Sequence, residues 1–237
     1  EILDLTNKIA LGLKQLGVVK NDVVSCQLPN WWEFSLLYFA CARIGAVLNP
    51  LMPIFREREL EFMLKHAESK VFVVPKLYRN FDHETLANKL KDKLDTLQHV
   101  VVVNGLGGNN YDQVLVNHGL EQNQHALDEL NHFQADPDDV TQLIFTSGTT
   151  GEPKGVMHTS NTLYANIVPY AERLHLSQND VILMASPMAH QTGFMYGLIM
   201  PVVLQAKIVL QDVWDVNQAV ELIHQHQISF TMASTPF

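Results

Sequence analysis

The residues best suited to chemistry lie between positions 146 and 155, directly after an apolar run. Ser147, Thr149 and Thr150 supply hydroxyl groups, and Lys154 adds a positive charge. Glycines among them let the backbone approach an anion closely. Successive backbone N–H groups in such a turn form a concave anion site. Hydroxyls, free N–H groups and one ammonium suit a polyphosphate, so the segment predicts a phosphate-binding loop.

Two familiar phosphate motifs do not describe this loop. A Walker loop has a glycine directly before its lysine, and here Pro153 stands at that position. The Gly-x-Gly-x-x-Gly spacing of dinucleotide folds is also missing. A glycine- and hydroxyl-rich surface loop without function is the alternative that the residues alone leave open.

The complete segment resembles the signature loop of the adenylate-forming enzymes, Ser/Thr-Ser-Gly-Thr-Thr-Gly-x-Pro-Lys-Gly. The sequence matches it at every fixed position of residues 146–155. The resemblance implies binding of ATP with Mg²⁺. The residues it assigns to the phosphates are Thr146, Ser147, Gly148, Thr149, Thr150, Gly151 and Lys154.

A second segment follows a predicted strand, where ligands bind in open α/β sheets. It contains Pro187, His190 and Gly193, with the spacing Pro-x-x-His-x-x-Gly. By itself His190 is more typical of a structural loop histidine. The family's acyl-CoA ligases carry this spacing, however, and the resemblance places His190, as a catalytic residue, at the junction of acyl carboxylate and nucleotide. The residues implied for the acyl pocket are His190, Gln191, Thr192, Gly193 and Phe194, with Gly193 expected to leave room for the acyl tail.

Short apolar runs alternate with amphipathic helical patterns along most of the chain, which predicts βαβ units. Asn30 is predicted to cap a helix, paired with Glu33 in a capping box. Residues 104–139 are predicted to form a long connection with one short helix near residues 125–130. The strand at 140–145 and an extended piece at 155–157 predict a hairpin-like frame for the phosphate loop. Thr159 or Ser160 should cap the helix after it.

The predicted fold class is α/β, with layered βαβ lobes and mainly parallel sheets. By resemblance, residues 1–237 form an incomplete amino-terminal domain of an adenylate-forming ligase, without the carboxyl-terminal domain. We expect two sublobes, 20–172 with the phosphate loop and 173–237 packed with the first helix at 1–17. We also expect a piece of a longer protein, inactive by itself, because the family's later nucleotide-binding segments are not in the sequence.

Composition limits the partners. The 237 residues are 47% hydrophobic with a net charge of −9, which favours a folded chain and argues against nucleic acid. Two cysteines in apolar runs indicate buried thiols and a reducing, cytoplasmic location. The histidines show no metal-ligand spacing. No apolar stretch is long enough to span a bilayer. Peripheral contact with a membrane stays open as an alternative.

The resemblance implies ATP-dependent activation of a fatty or related carboxylic acid, followed by transfer to coenzyme A. The partners would be a small carboxylate, ATP and coenzyme A. Three alternatives stay open: an aryl-acid ligase, a peptide-synthetase adenylation domain, and a non-catalytic nucleotide-binding module.

Overall fold

Strands and helices alternate along the chain, as the apolar patterning predicts. The computed structural model describes residues 1–146 and 153–233. Its helices are α1 (Ile2–Gln15), α2 (Trp32–Ile44), α3 (Glu57–His66), α4 (His83–Lys91), α5 (Gln124–His132), α6 (Ser160–Arg173), α7 (Gln191–Phe194), α8 (Met200–Leu204) and α9 (Val216–His226). Its strands are β1 (Val23–Cys26), β2 (Val47–Pro50), β3 (Val71–Pro75), β4 (Leu77–Tyr78), β5 (Phe81–Asp82), β6 (His99–Val103), β7 (Val140–Thr146), β8 (Lys154–Thr159), β9 (Val181–Met184), β10 (Lys207–Leu210) and β11 (Phe230–Thr231).

The larger sheet has six strands in the order β6-β3-β1-β2-β7-β8. All of its neighbours pair in parallel except β8, which runs antiparallel to β7. The five residues of β3 are all buried, as befits a central strand covered on both faces. The mainly parallel sheet predicted from the sequence is therefore confirmed.

The smaller sheet has three parallel strands in the order β10-β9-β11. Its central strand contributes Ile182, Leu183 and Met184 to the protein interior. A short antiparallel hairpin, β4 and β5, stands apart from both sheets. Because β9 is the central strand of its sheet, the loop after it begins in the middle of the edge that the carboxyl ends of the strands form.

One hydrophobic core runs from α1 and α2 through the larger sheet to the residues after β9. A second, smaller cluster lies between α3, α4 and the larger sheet. Helix α1 packs most extensively against α2 and against a π-helical turn, Asp112–Val116. The sequence led us to expect these contacts with residues 173–237, but the main ones are with α2 and the π-helical turn. The sublobe boundaries stay a prediction.

Two local expectations differ from the structure. Helix α2 begins after Trp31, and no side-chain cap bond forms there, so Asn30 and Glu33 do not make the predicted capping box. Residues 104–139 carry the π-helical turn and a 3₁₀ turn, Leu120–Gln122, besides the expected short helix α5. Their periods differ from 3.6, so an α-helical pattern search misses them.

Within the described residues, no helix combines the length and the apolar character needed to cross a membrane.

Candidate active site

The predicted phosphate loop is framed by an antiparallel hairpin. Strand β7 pairs with β8 up to the pair Thr146 and Lys154, which stand opposite each other at the open end. Both residues are exposed, and the Thr146 Oγ1 hydroxyl donates to the Lys154 carbonyl over 3.4 Å. Ser147, Gly148, Thr149, Thr150 and Gly151 lie outside the described residues. The structure therefore shows the frame of the loop and places its first and last polar residues together.

Packing from α3 anchors this hairpin. The Phe145 ring lies edge-on to Phe62, with 6.4 Å between ring centroids, and to His66, with 6.1 Å. On the partner strand, Gly155 sits so close to Leu143 that a Cβ would lie 2.9 Å from its Cδ1. The base of the loop is thus fixed by contacts directly below Thr146.

Residues 186–193, which are the end of the loop after β9 and the start of α7, carry His190 and are called the His190 loop. The His190 side chain is exposed, while its backbone N–H donates to the Pro187 carbonyl over 2.9 Å. Its Nδ1 accepts from the Thr192 N–H at 3.3 Å and caps α7. An accepting Nδ1 assigns the proton of the neutral ring to Nε2. His190 therefore presents Nε2–H as a hydrogen-bond donor.

Gly193 serves a different purpose from the one expected. A Cβ at this position would lie 2.2 Å from the Pro187 carbonyl oxygen and 2.5 Å from that of Ser186. The space beside Gly193 is filled by this backbone and is not open to an acyl tail. The expected reason for the glycine is wrong: it allows α7 to fold back onto its own loop.

Phe194 supports the loop from below. Its side chain is 0% exposed and contacts Tyr38 edge-on, with 4.9 Å between ring centroids, and Phe34, with 6.4 Å. Tyr38 in turn accepts a hydrogen bond from Thr141 of β7 at 3.4 Å. Tyr38, which the sequence did not single out, thus bridges the phosphate-loop hairpin and the His190 loop. The predicted contact of Phe194 with an acyl chain stays a prediction.

Gln191 and Thr192 are half-buried beside His190. Both amide atoms of Gln191, Oε1 and Nε2, are buried and find no hydrogen-bond partner in the part of the chain that the structure describes. A buried amide in this condition is costly and is commonly satisfied by a ligand or an ordered water. Gln191 is therefore the better candidate of the two for a polar contact with a bound molecule.

Helix α6 connects the two motifs. Thr159 caps it directly after β8: its Oγ1 accepts from the Thr162 N–H at 3.2 Å, and Thr162 Oγ1 accepts from the Thr159 N–H at 2.9 Å. Further along, Asn166 accepts a hydrogen bond from Tyr196 over 3.1 Å. Tyr196 belongs to the π-helical turn Met195–Ile199 that continues α7. Burial raises the pKa of the Tyr196 hydroxyl, with a smaller contribution from nearby Tyr170.

Asn30, predicted to be a helix cap, instead joins the two sheets. It is 5% exposed and bonds to the backbone of Ser186, Met188 and Gln211. Beside it, Trp31 Nε1 donates to Asp212 Oδ2 at 3.0 Å, and the Tyr78 hydroxyl donates to the Asp212 carbonyl at 2.8 Å. The only sequence signal was a polar residue between the strand β1 and an aromatic pair, which local rules assign to a cap.

Metal ligands are not grouped in the described ranges 1–146 and 153–233. No cluster of three or more His, Cys, Asp or Glu side chains that could hold an ion occurs there.

A mainly parallel α/β fold, with His190 in the segment after β9 and a hairpin that frames a hydroxyl-rich stretch of sequence, is the arrangement of the adenylate-forming class. The family model described as AMP-binding enzyme matches residues 1–237, so the chain belongs to that family.

Three relatives give the range of this family. The chain is 34% identical over 224 residues to the medium-chain fatty-acid–CoA ligase of Escherichia coli K12, covering 93% of the chain and 38% of the ligase. It is 28% identical over 235 residues to the 2,3-dihydroxybenzoate-AMP ligase of Bacillus subtilis 168, covering 97% and 41%. The crystal structure of a long-chain-fatty-acid-CoA ligase from Archaeoglobus fulgidus superposes with a TM-score of 0.83 at 29% identity, covering 100% of the chain and 44% of that structure.

The chain thus spans about two fifths of the length of the curated relatives it matches.

Proposed function

We propose that the whole protein carrying this chain is an acyl-CoA synthetase that activates a fatty or related carboxylic acid. One observation carries the proposal: the phosphate loop of residues 146–155 matches the adenylate-forming signature at every fixed position, and its ends are framed by the β7–β8 hairpin.

The reaction has two steps. A carboxylate oxygen of the acid attacks the α-phosphorus of ATP, and the bond to pyrophosphate breaks to give an acyl-adenylate. The coenzyme A thiolate then attacks the acyl carbon, and AMP leaves with the electron pair of the broken C–O bond. In both steps catalysis rests on positioning and on stabilising negative charge.

The chain supplies groups suited to that task. Lys154 and the Thr146 hydroxyl stand at the mouth of the phosphate loop, where they would bind the β- and γ-phosphates. The Nε2–H of His190 would donate to a carboxylate or α-phosphate oxygen, and the unpartnered Gln191 amide would complete the polar surface. Donors already held in place lower the cost of reorganisation during the reaction.

Mg²⁺ is part of the proposal only as the ion that accompanies ATP. The described residues offer it no cluster of ligands, so no side chain of this chain is assigned to it. The proposed location is the cytoplasm, where ATP and coenzyme A are available. Cys26 and Cys41 are both buried free thiols, as expected in a reducing compartment.

An aryl acid is the second candidate substrate, because the dihydroxybenzoate ligase matches over almost the entire chain. An aliphatic acid is favoured because one fatty-acid–CoA ligase has a higher sequence identity to the chain and the structure of another matches it closely. An amino-acid substrate would need an acid near His190 for its ammonium group, and none was found in the sequence there.

A carboxylate panel in an ATP–pyrophosphate exchange assay on the whole protein tests the proposal. Aliphatic acids of increasing length, dihydroxybenzoate, coumarate and amino acids form the panel. We expect exchange with an aliphatic acid, and thioester after addition of coenzyme A. Exchange with aryl acids alone would select the second candidate, and no exchange with any carboxylate would favour a non-catalytic module.

A further inference from the structure

The two sheets meet at their carboxyl ends, and one side chain from the segment after β1 reaches into the loop that carries His190. We propose that Asn30 is the positioning residue of His190: it fixes the peptide between Pro187 and Met188 and thereby sets where the imidazole stands. The inference rests on the proposed function only for its kinetic consequence, because the positioning itself is a property of the fold.

Asn30 uses both ends of its amide. Its Oδ1 accepts from the Met188 N–H at 2.7 Å. Its Nδ2 donates to the Ser186 carbonyl at 2.9 Å, with the Gln211 carbonyl at 3.2 Å and the Met184 carbonyl at 3.4 Å. These partners are more than 150 residues away in the sequence and come from the ends of β9 and β10. One side chain therefore ties the segment after β1 to the carboxyl ends of two strands of the other sheet.

Asparagine is the residue that this position requires. One partner is a donor and the others are acceptors, so only a side chain with an oxygen and an NH₂ group satisfies them together. An aspartate carboxylate would face the carbonyl oxygens with a second oxygen. An alanine would leave the buried Met188 N–H without its acceptor, which is costly.

The peptide unit between Pro187 and Met188 transmits the effect to His190. Its N–H end is held by Asn30, and its carbonyl end accepts from the His190 N–H at 2.9 Å. The same carbonyl oxygen lies against Gly193. Because a peptide bond is planar, holding one end fixes the direction of the other. Asn30 thus orients the carbonyl to which the backbone of His190 is bonded.

Tyr78 provides a matched control at the same junction. Its hydroxyl donates to the Asp212 carbonyl over 2.8 Å, which ties the β4–β5 hairpin to the segment after β10. Its ring lies edge-on to Trp31, with 6.0 Å between ring centroids. Tyr78→Phe therefore removes one hydrogen bond close to Asn30 and leaves the bonds of Asn30 to the His190 loop in place.

The first experiment measures hydrogen exchange by mass spectrometry on the whole protein. In Asn30→Ala we expect faster exchange in the peptides covering residues 186–194, with the β7–β8 hairpin unchanged. Tyr78→Phe should leave residues 186–194 as in the wild type. Unchanged protection of 186–194 in Asn30→Ala, or equal loss in both variants, would overturn the proposal. This measurement needs no activity.

The second experiment is a double-mutant cycle in pyrophosphate exchange, with a carboxylate that the wild type activates. A displaced imidazole should lower kcat by about 10–100-fold in Asn30→Ala. If Asn30 acts through His190, the variant with both Asn30→Ala and His190→Ala should be no slower than His190→Ala alone. If the double variant were instead slower than His190→Ala by the factor that Asn30→Ala alone produces, Asn30 would have a merely structural role and the proposal would be overturned. A wild type without exchange would refute the proposed function instead, and hydrogen exchange would still decide the positioning role.

Asn30→Asp is a second variant for the case in which the alanine variant does not fold. A neutral carboxyl can donate to a carbonyl where a carboxylate cannot, and its buried surroundings favour the neutral form as pH falls. The rate of pyrophosphate exchange by this variant, divided by that of the wild type, should therefore increase as the pH falls from about 8 to about 6. A ratio that does not change with pH would count against the role given to Nδ2.

Discussion

The phosphate-loop hairpin and the His190 loop are held in place in different ways. The hairpin is a local structure, because strands β7 and β8 are close in sequence and bond to each other along their length. The His190 loop depends on distant residues, above all Asn30 and the Phe34 and Tyr38 rings under Phe194.

In the hairpin, the groups expected to bind phosphate are separate from the residues that pack the core, whereas in the His190 loop the two lie together. At the hairpin mouth, Thr146 and Lys154 are exposed and can be changed without disturbing the core. In the His190 loop the residues around the histidine are packed, and Gly193 touches backbone. Substitutions in the hairpin should therefore change chemistry more than stability, whereas those in the His190 loop should change both.

The largest effect is expected for Gly193→Ala. Its Cβ would meet the Pro187 carbonyl oxygen at 2.2 Å, and backbone cannot move aside as easily as a side chain. We expect a loss of about 3 kcal/mol in the free energy of unfolding, measured by urea denaturation, together with loss of pyrophosphate exchange. Gly108→Ala is the control, since a Cβ there would meet nothing within 4 Å. Equal stability of the two variants would contradict the packing role of Gly193.

Lys154→Ala should abolish much of the activity without loss of stability. The side chain is exposed at the hairpin mouth, so its removal leaves the core intact. By analogy with other charge-stabilising groups we expect a decrease of about 100-fold in the rate of pyrophosphate exchange. The urea midpoint should stay unchanged. Lys65→Ala, at an exposed lysine of α3, should affect neither measurement. Full exchange in Lys154→Ala would refute the role given to this lysine.

Thr159→Ala tests how firmly the hairpin is joined to α6. Removal of the cap leaves the Thr162 N–H without its acceptor, so we expect a loss of about 1 kcal/mol in the free energy of unfolding. Ser160→Ala, one residue along, should change it by less than about 0.5 kcal/mol. Thermal or urea unfolding of the two variants distinguishes them. A greater loss in Ser160→Ala would move the cap to that residue.

Gly155→Ala should have the smallest effect and sharpens the comparison with Gly193. A Cβ at Gly155 would also be too close to a neighbour, at 2.9 Å, but that neighbour is the Leu143 Cδ1 methyl at the end of a flexible side chain. A rotation of Leu143 relieves the contact, so we expect a change within about 1 kcal/mol in the free energy of unfolding. A loss as large as that of Gly193→Ala would show that the hairpin is packed as tightly as the His190 loop.

Elements with a clear period could be predicted from the sequence almost to the residue. Helix α5 spans Gln124–His132, around the predicted residues 125–130, and Thr159 caps α6 as predicted. The hairpin was also predictable, because two apolar extended runs flank a glycine-rich turn. In each case the signal is local, so neighbouring residues are enough to define the structure.

The roles of Asn30 and Gly193 could not be predicted in this way. Asparagine before a helix is a common cap, and nothing nearby indicates that its partners are Ser186, Met188 and Gln211. A glycine beside a predicted pocket suggests open space, yet the chain folds back and fills that space. Both roles depend on which segments meet in three dimensions.

The sequence by itself determined the chemistry that this protein can offer: a hydroxyl- and glycine-rich loop with Lys154, a histidine after a strand, and alternating elements that make an α/β fold. These follow from residue types and short spacings, which act over a few neighbouring residues. Only the tertiary structure decided how His190 is held, because the hydrogen bonds of Asn30 cross more than 150 residues and exist only when the two sheets have met. The contact between Gly193 and Pro187 is close in sequence, but it depends on the path of the loop, which no period of residues encodes.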